Sequence, residues 1–262
     1  MAFTEKIGNI PFASLIACII VFVGVGVFCG TLYRALTIIL KSVMEEIFQF
    51  NVTWLEVLQI VFIVIAVVMA LFAILLLIFA FLATGATRKT VYSGASCIMG
   101  GRISAAFFMV ISYILNLAWM VIMSVGVIPV IVYLMLRSIC STEIYSKDAT
   151  SLANYCFSLT QFGIYRNQSY PLNIQPPGRE QLCGHTELRR FCDRIEEAGP
   201  LFCIAYVGAA LICLGMIHFM ITLAANYTRI RISKELTEYR DAVDMEELEL
   251  HSNMDKTSSQ QY

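Results

Sequence analysis

Four apolar runs, roughly Phe12–Leu32, Leu55–Ala83, Ala105–Leu136 and Leu201–Ala225, decide what this chain can fold into. Each exceeds the roughly 20 residues a helix needs to cross about 30 Å of hydrocarbon. They contain no Asp, Lys or Arg, and the only acid is Glu56, one residue from the start of the second run. Backbone amides in hydrocarbon find no water to bond, so such runs satisfy themselves as helices. Charged residues make up 14% of the chain, where a soluble domain has about a quarter. One soluble core of this length could not hide so much apolar surface. The second and third runs exceed a perpendicular crossing and are expected to tilt or project. A net charge of −1 gives none of the basic surface of a nucleic-acid binder, so no nucleic acid is expected as a partner.

The first run is too long for the apolar part of a signal peptide, about 7–15 residues, and Met1–Asn9 before it has no net positive charge. It is therefore expected to stay as an uncleaved span. The expected organisation is an N-terminal segment 1–11, a helix 12–33, a short loop 34–54, a helix 55–84, a basic loop 85–104, a helix 105–136, a large loop 137–200, a helix 201–225 and a tail 226–262. The fold class is thus an all-α membrane protein, a four-helix transmembrane bundle with a disulfide-stapled extracellular loop domain.

Charge and sulfur orient the bundle. Arg88, Lys89 and Arg102 lie in loop 85–104 with no acid, and Arg229, Arg231 and Lys234 follow the fourth run. Lys and Arg near span ends stay cytoplasmic, which puts both termini inside and loops 34–54 and 137–200 outside. Four of the nine cysteines, Cys140, Cys156, Cys183 and Cys192, fall in loop 137–200. Disulfides persist on the outer side and are rare in the cytosol. Four cysteines allow three pairings. Geometry favours the nested one, because Cys140 and Cys192 both lie near the membrane and would close the loop at its base, leaving Cys156 to Cys183. In the chain-entropy model the outer bridge contributes at most about 4 kcal/mol, since packed spans already hold the loop ends together. Oxidised sulfur does not bind zinc, and Cys183-Gly184-His185 lacks partners at metal-site spacing, so no metal or cofactor is expected.

Asn167-Gln168-Ser169 sits among Pro171, Pro176, Pro177 and Gly178, an exposed turn by composition, and is the best glycosylation acceptor. Asn51-Val52-Thr53 is a second acceptor on the outer side, close to the second span. Asn226-Tyr227-Thr228 ends the fourth span inside and is expected to stay unmodified.

Among the few polar side chains within the spans, Ser112, Asn116, Ser124 and His218 stand out. Ser112 and Asn116 share a helix face. The favoured reading is a hydrogen bond between neighbouring helices, worth about 0.6–2 kcal/mol; the alternative is the lining of a polar path. A pump or ion path normally carries buried acids or bases, which these spans lack apart from His218. Gly26 and Gly30, and Ala205, Ala209 and Cys213 beside Gly208, have the small-residue spacing that lets helices approach closely. These stripes are compatible with a homo-oligomer but do not specify one. Gly126 and Pro129 are expected to kink the third span. No nucleophile elbow, phosphate loop or intramembrane carboxylate pair appears, and His185, His218 and His251 lie in three different regions. The chain is not expected to be an enzyme.

In the tail, Ile232, Leu236, Tyr239 and Val243 repeat at helical spacing, followed by the acidic stretch Asp241–Glu249. This is either a docking helix for a cytoplasmic partner, such as a cytoskeletal adaptor, or a solvated extension of the fourth span. Ser252–Tyr262 is disordered by composition.

Pro11-Phe12-Ala13-Ser14-Leu15, Phe28-Cys29-Gly30 and Ala35-Leu36-Thr37 resemble the first span of the myelin proteolipid family. Thr84-Gly85-Ala86, Leu117-Ala118-Trp119, Pro129-Val130 and Val207-Gly208-Ala209-Ala210 are similar to its second, third and fourth spans. Cys140, Cys156, Cys183 and Cys192 fall where its four extracellular cysteines fall. Gln161-Phe162-Gly163-Ile164, Ala225-Asn226 and Glu247-Leu248-Glu249-Leu250-His251 resemble its neuronal membrane glycoprotein branch. The resemblance covers about Pro11 to His251. It implies the nested pairing, Cys140 with Cys192 and Cys156 with Cys183. It also implies non-enzymatic work at the plasma membrane: membrane organisation, cell contact or junction assembly, and growth of filopodia and neuronal processes. The partners would then be the lipid bilayer and other membrane or adhesion proteins met through the large loop. Two departures stand out. Met1–Pro11 lacks the family's acylated cysteines, leaving Cys97 as the lipidation candidate. Phe79 occupies the place of a family glutamate, so no mechanism built on that acid transfers. The rival function is a channel, a transporter or an auxiliary subunit of one.

Overall fold

The computed structural model describes residues 12–49, 55–83, 95–148, 152, 155–158 and 181–259. Four long helices carry almost all of them. Helix α1 spans Phe12–Thr37 and runs on as a π-helical segment, Ile38–Ile47. Helix α2 spans Leu55–Ala83. Helix α3 spans Ala95–Ile139 and also ends in a π-helical turn, Cys140–Ile144. Helix α4 is a single run of 75 residues, His185–Ser259. Between α3 and α4, strand β1 (Cys156–Ser158) pairs antiparallel with β2 (Gln181–Cys183), matching Cys156 to Cys183 and Phe157 to Leu182. The short strand pair adds the only β structure among the described residues to a helical fold.

All four helices contain stretches long and apolar enough to cross a membrane, within Phe12–Ile47, Val57–Leu82, Ala105–Ile144 and His185–Thr228. Their outward faces suit hydrocarbon. Ile60, Ile63, Val64, Val67 and Leu71 on α2 are each more than half exposed, and water would not tolerate so continuous an apolar face. Several hydroxyls on these helices are satisfied locally. Thr31, Thr37, Ser124 and Thr228 each donate to the carbonyl four residues back, at 2.7–3.0 Å, which hides the polar group from lipid.

The helices outrun the apolar runs that mark them. The first continues through Ile47, past the expected end at 33, and the fourth begins at His185, well before 201. Apolar composition marks only the buried or lipid-facing part of a helix, and its wet ends carry a mixed pattern. Helix α4 also continues to Ser259, where composition suggested disorder. The strong helix formers Met245, Glu246, Glu247, Leu248 and Glu249 favour that continuation. Helices α3 and α4 persist through Pro129 and Pro200, each of which lacks an N–H to donate to the helix ladder.

The chain forms two compact units, each drawing on all four helices. One comprises residues 1–18, 74–115 and 216–262. Its buried side chains include Leu76, Phe79, Met216, Phe219 and Leu223. Phe79 meets Phe108 with ring centroids 5.6 Å apart, so an aromatic contact stands where the family resemblance would put a carboxylate.

The other unit comprises residues 19–73 and 116–215. Here α1 and α4 touch backbone to backbone. A Cβ added at Gly208 would lie 2.7 Å from the Phe28 amide nitrogen, and one at Gly24 would lie 2.9 Å from that of Ile212. Only glycine permits so close a crossing. Phe28 then meets Trp119 edge-on at 5.0 Å, and the Trp119 indole N–H donates to the Met69 sulfur at 3.4 Å. Phe28, Trp119 and Met69 thus link α1, α3 and α2, while the glycine crossing links α1 to α4.

Candidate functional site: the disulfide-tied head

The described part of the segment between α3 and α4 packs against the end of α3, the start of α4 and the π-helical end of α1. Its core is a cluster of Val43, Ile47, Phe48, Leu136, Cys140, Ile144, Leu152, Phe157, Leu182, Leu188, Phe191 and Cys192, with Tyr133 and Ile195 beneath. Local pattern explains the contributions. Ile39, Val43 and Ile47 recur every four residues and put one apolar face on the first loop. In β1 and β2, Phe157 and Leu182 point inward while Cys156 and Cys183 point outward, the alternation of a half-buried strand pair. Phe191 sits at the centre, 6.1 Å from Phe48 and 5.1 Å from Phe157 between ring centroids.

Two disulfides tie this head. Cys140–Cys192 joins the end of α3 to α4, with Cα atoms 5.7 Å apart, and both residues are buried. Cys156–Cys183 links directly opposed residues of β1 and β2, with Cα atoms 4.2 Å apart, on the exposed face. They close loops of 52 and 27 residues. Gly184, directly after the second bridge, has φ +94°, a conformation that favours glycine and turns the chain into α4.

Polar contacts lie on the outside. Glu46, on the π-helical segment, accepts from Arg190 of α4 at 3.0 Å. Both side chains are nearly half exposed, so the pair contributes about 0–1 kcal/mol and acts mainly to set register. The Tyr145 hydroxyl donates to Asp193 Oδ1 at 2.7 Å, and the Arg189 guanidinium lies 6.0 Å from the Tyr145 ring centre. Burial, the hydrogen bond to Asp193 and the negative charges of Asp193 and Glu196 hold the Tyr145 phenol well above its ordinary range, against the pull of Arg189. Lys147 pairs with Glu143, and Arg194 with Glu197 at 2.8 Å. Among the described residues no group of three His, Cys, Asp or Glu side chains is placed to hold a metal ion.

The other residues singled out in the sequence fall as follows. Gly208 is at the α1–α4 crossing, but Gly26 and Gly30 are not. Both are exposed, and a Cβ on either would meet nothing within 4 Å. The contact runs through Gly24, and two residues along a helix rotate about 200°, onto the other face. Asn116 and Ser112 are buried, yet the Asn116 Oδ1 and Ser112 Oγ have no hydrogen-bond partner among the described residues, so the expected interhelical bond is not formed there. Apart from Ser14 they are the only buried polar side chains described, which leaves few partners to meet. Cys97 falls in the first turn of α3, with its side chain outside the described residues, and Asn51 and Asn167 lie outside them altogether. The sequence reading missed the part the first loop plays. The four-residue spacing of Ile39, Val43 and Ile47 was the available signal.

Comparison with known proteins gives a consistent result. Residues 3–235 match the family model for myelin proteolipid protein (PLP or lipophilin). Neuronal membrane glycoprotein M6-a of Homo sapiens is 29% identical over 257 residues, covering 94% of this chain and 87% of that protein. Proteolipid protein DM beta of Squalus acanthias is 29% identical over 256 residues, with the same coverage. Neuronal membrane glycoprotein M6-b of Mus musculus is 26% identical, covering 97% of this chain and 77% of that protein. No solved structure matches. Four membrane-length helices, a disulfide-tied segment between the third and fourth, and a family match across nearly the whole chain together make this a multi-pass membrane protein that belongs to the myelin proteolipid protein family.

Proposed function

We propose that this chain is a non-enzymatic tetraspan that organises the plasma membrane and its contacts with neighbouring cells. In this reading the head faces outside and both termini lie in the cytoplasm, at cell–cell contacts or on neuronal processes. The head meets another membrane or adhesion protein, and this supports junction assembly or the growth of filopodia and processes. The observation that carries it is the construction of the head: two bridges and an aromatic core fix one folded surface on a membrane anchor. Bridges of this kind belong to an oxidising compartment. The relatives named as membrane glycoproteins and proteolipid proteins agree with a structural role. Asn167, and Asn51 at the edge of the second span, would carry glycans on the outer side, and Cys97 an acyl group on the inner side. On the tail, Ile232, Tyr239 and Val243 are exposed on one helix and offer an apolar stripe to a cytoskeletal adaptor.

Cys140→Ser tests the proposal. Surface delivery and clustering with neighbouring membrane proteins should fall together in cells expressing the variant. Unchanged delivery and clustering would show that the head is not the working part.

One observation favours a second reading, a transport role. Ser112 Oγ and Asn116 Oδ1 are buried without partners among the described residues, and unpartnered polar atoms in a span can line a polar path. Reconstitution into liposomes separates the two. Selective flux that disappears in Asn116→Leu would establish transport, and no flux above empty liposomes would dismiss it.

A further inference from the structure

Beneath the head lies a cavity of about 300 Å³. Its walls come from the π-helical end of α1 (Val43), from Phe48, from α3 (Val132 and Tyr133) and from α4 (Phe191 and Ala198). Among its described lining residues the only side-chain oxygen or nitrogen is the Tyr133 hydroxyl, which already accepts from Arg137 at 3.4 Å. A buried water needs two to four polar partners, so this space is not a water site. An apolar cavity of about 150 Å³ accommodates a benzene ring. One twice that size and lined by Val, Phe, Leu and Ile suits hydrocarbon.

Its position says which hydrocarbon. The α3 wall, Pro129 to Leu136, is the last stretch of the third apolar run, and Arg137 is the first charge after it. The α1 and α4 walls, Ile39 to Phe48 and Phe191 to Gly199, lie beyond their own apolar runs, so the cavity spans the boundary between the third apolar run and the head. Val132 lines it and is itself 38% exposed, so this wall has an edge on the lipid-facing side. On α4 the lining runs from Phe191 to Phe202, twelve residues that span about 16 Å of helix axis from first to last. That makes a slot longer than a ring and suited to a chain. Arg137 is exposed, one helical turn beyond Tyr133 and directly after Leu136, and places a cation at the rim. We propose that this cavity holds one acyl chain of a phospholipid, with the phosphate met by Arg137. The site needs only that the chain crosses a bilayer. It is independent of which side the head faces and of what the head contacts.

The test is photolabelling in nanodiscs with full-length protein. The probe is a phosphatidylserine carrying a diazirine in mid-chain, present as a minor component of phosphatidylcholine. Labelling should concentrate on the peptides containing Val132–Leu136 and Phe191–Ala198. Ala198→Leu, which fills the slot with three more carbons, should cut labelling there about tenfold and leave it unchanged on the outer face of α2. Arg137→Gln should cut it about fivefold. Non-reducing electrophoresis checks that both bridges form in each variant. If Ala198→Leu does not oxidise, Val132→Trp at the exposed edge replaces it with the same expectation. Labelling spread evenly over the cavity peptides and α2, and insensitive to the filling variant, would overturn the proposal. So would displacement by excess sterol but not by excess unlabelled phosphatidylserine.

Discussion

At the scale of single residues, two glycines separated by a fraction of a turn do opposite things. Gly24 and Gly208 are where α1 and α4 touch through their backbones, whereas Gly26 faces open space. A methyl at Gly208 would sit 2.7 Å from a backbone nitrogen that cannot swing away. We expect Gly208→Ala to destabilise the purified protein by about 1–3 kcal/mol through overpacking. Gly26→Ala should be neutral or stabilising by up to about 1 kcal/mol, the helix-propensity gain. Thermal unfolding in one detergent compares the two directly, and equal losses would contradict the crossing described here. The sequence carried the stripe of small residues but not its facing. Spacing alone selects a face only when the partner helix is known, and Gly24, Gly26 and Gly30 are all small residues in the same apolar run.

At the scale of elements, the head joins three pieces far apart in the chain, and its two bridges differ in access. Cys140 and Cys192 are 1% and 0% exposed, while Cys156 and Cys183 lie on the open face of the strand pair. Thiol–disulfide exchange needs approach to a sulfur. Mild reductant on the folded protein should therefore open Cys156–Cys183 first, as read by mass spectrometry of alkylated peptides, and simultaneous opening would contradict this packing. Tyr145 gives the head a pH signature. Its phenol titrates higher in the folded state than its ordinary value near 10, so the folded state binds the proton more tightly. That stabilisation is complete below about pH 10 and is lost as pH rises through the folded value. Tyr145→Phe should flatten the alkaline fall in head stability while changing little at neutral pH; an identical alkaline limb would mean that Tyr145 does not contribute to it. Four helices and the location of the sulfur-rich segment were legible in the sequence, because hydrophobic length and cysteine position are local properties. The first loop's place in the head core, the β1–β2 pair and the Glu46–Arg190 contact were not. Each depends on residues more than twenty positions apart, and only the first leaves a local trace, the spacing of Ile39, Val43 and Ile47.

At the scale of the whole molecule, chemistry is partitioned along the chain. Among the described residues the spans bury few polar side chains, Ser14, Ser112 and Asn116. The head concentrates disulfides, aromatic packing and surface ion pairs, and the tail extends α4 as a long helix ending at Ser259. Such a distribution suits a protein that holds a shaped surface at a membrane, and it gives each part a separate test. In the proposed reading the head stands in an oxidising exterior with its sulfurs paired. Intact cells treated with a membrane-impermeant maleimide measure this most directly. We expect no modification of Cys140, Cys156, Cys183 or Cys192 before reduction and modification of the surface bridge after it. Ready labelling of those four residues on unreduced cells, or labelling only after the membrane is permeabilised, would contradict it.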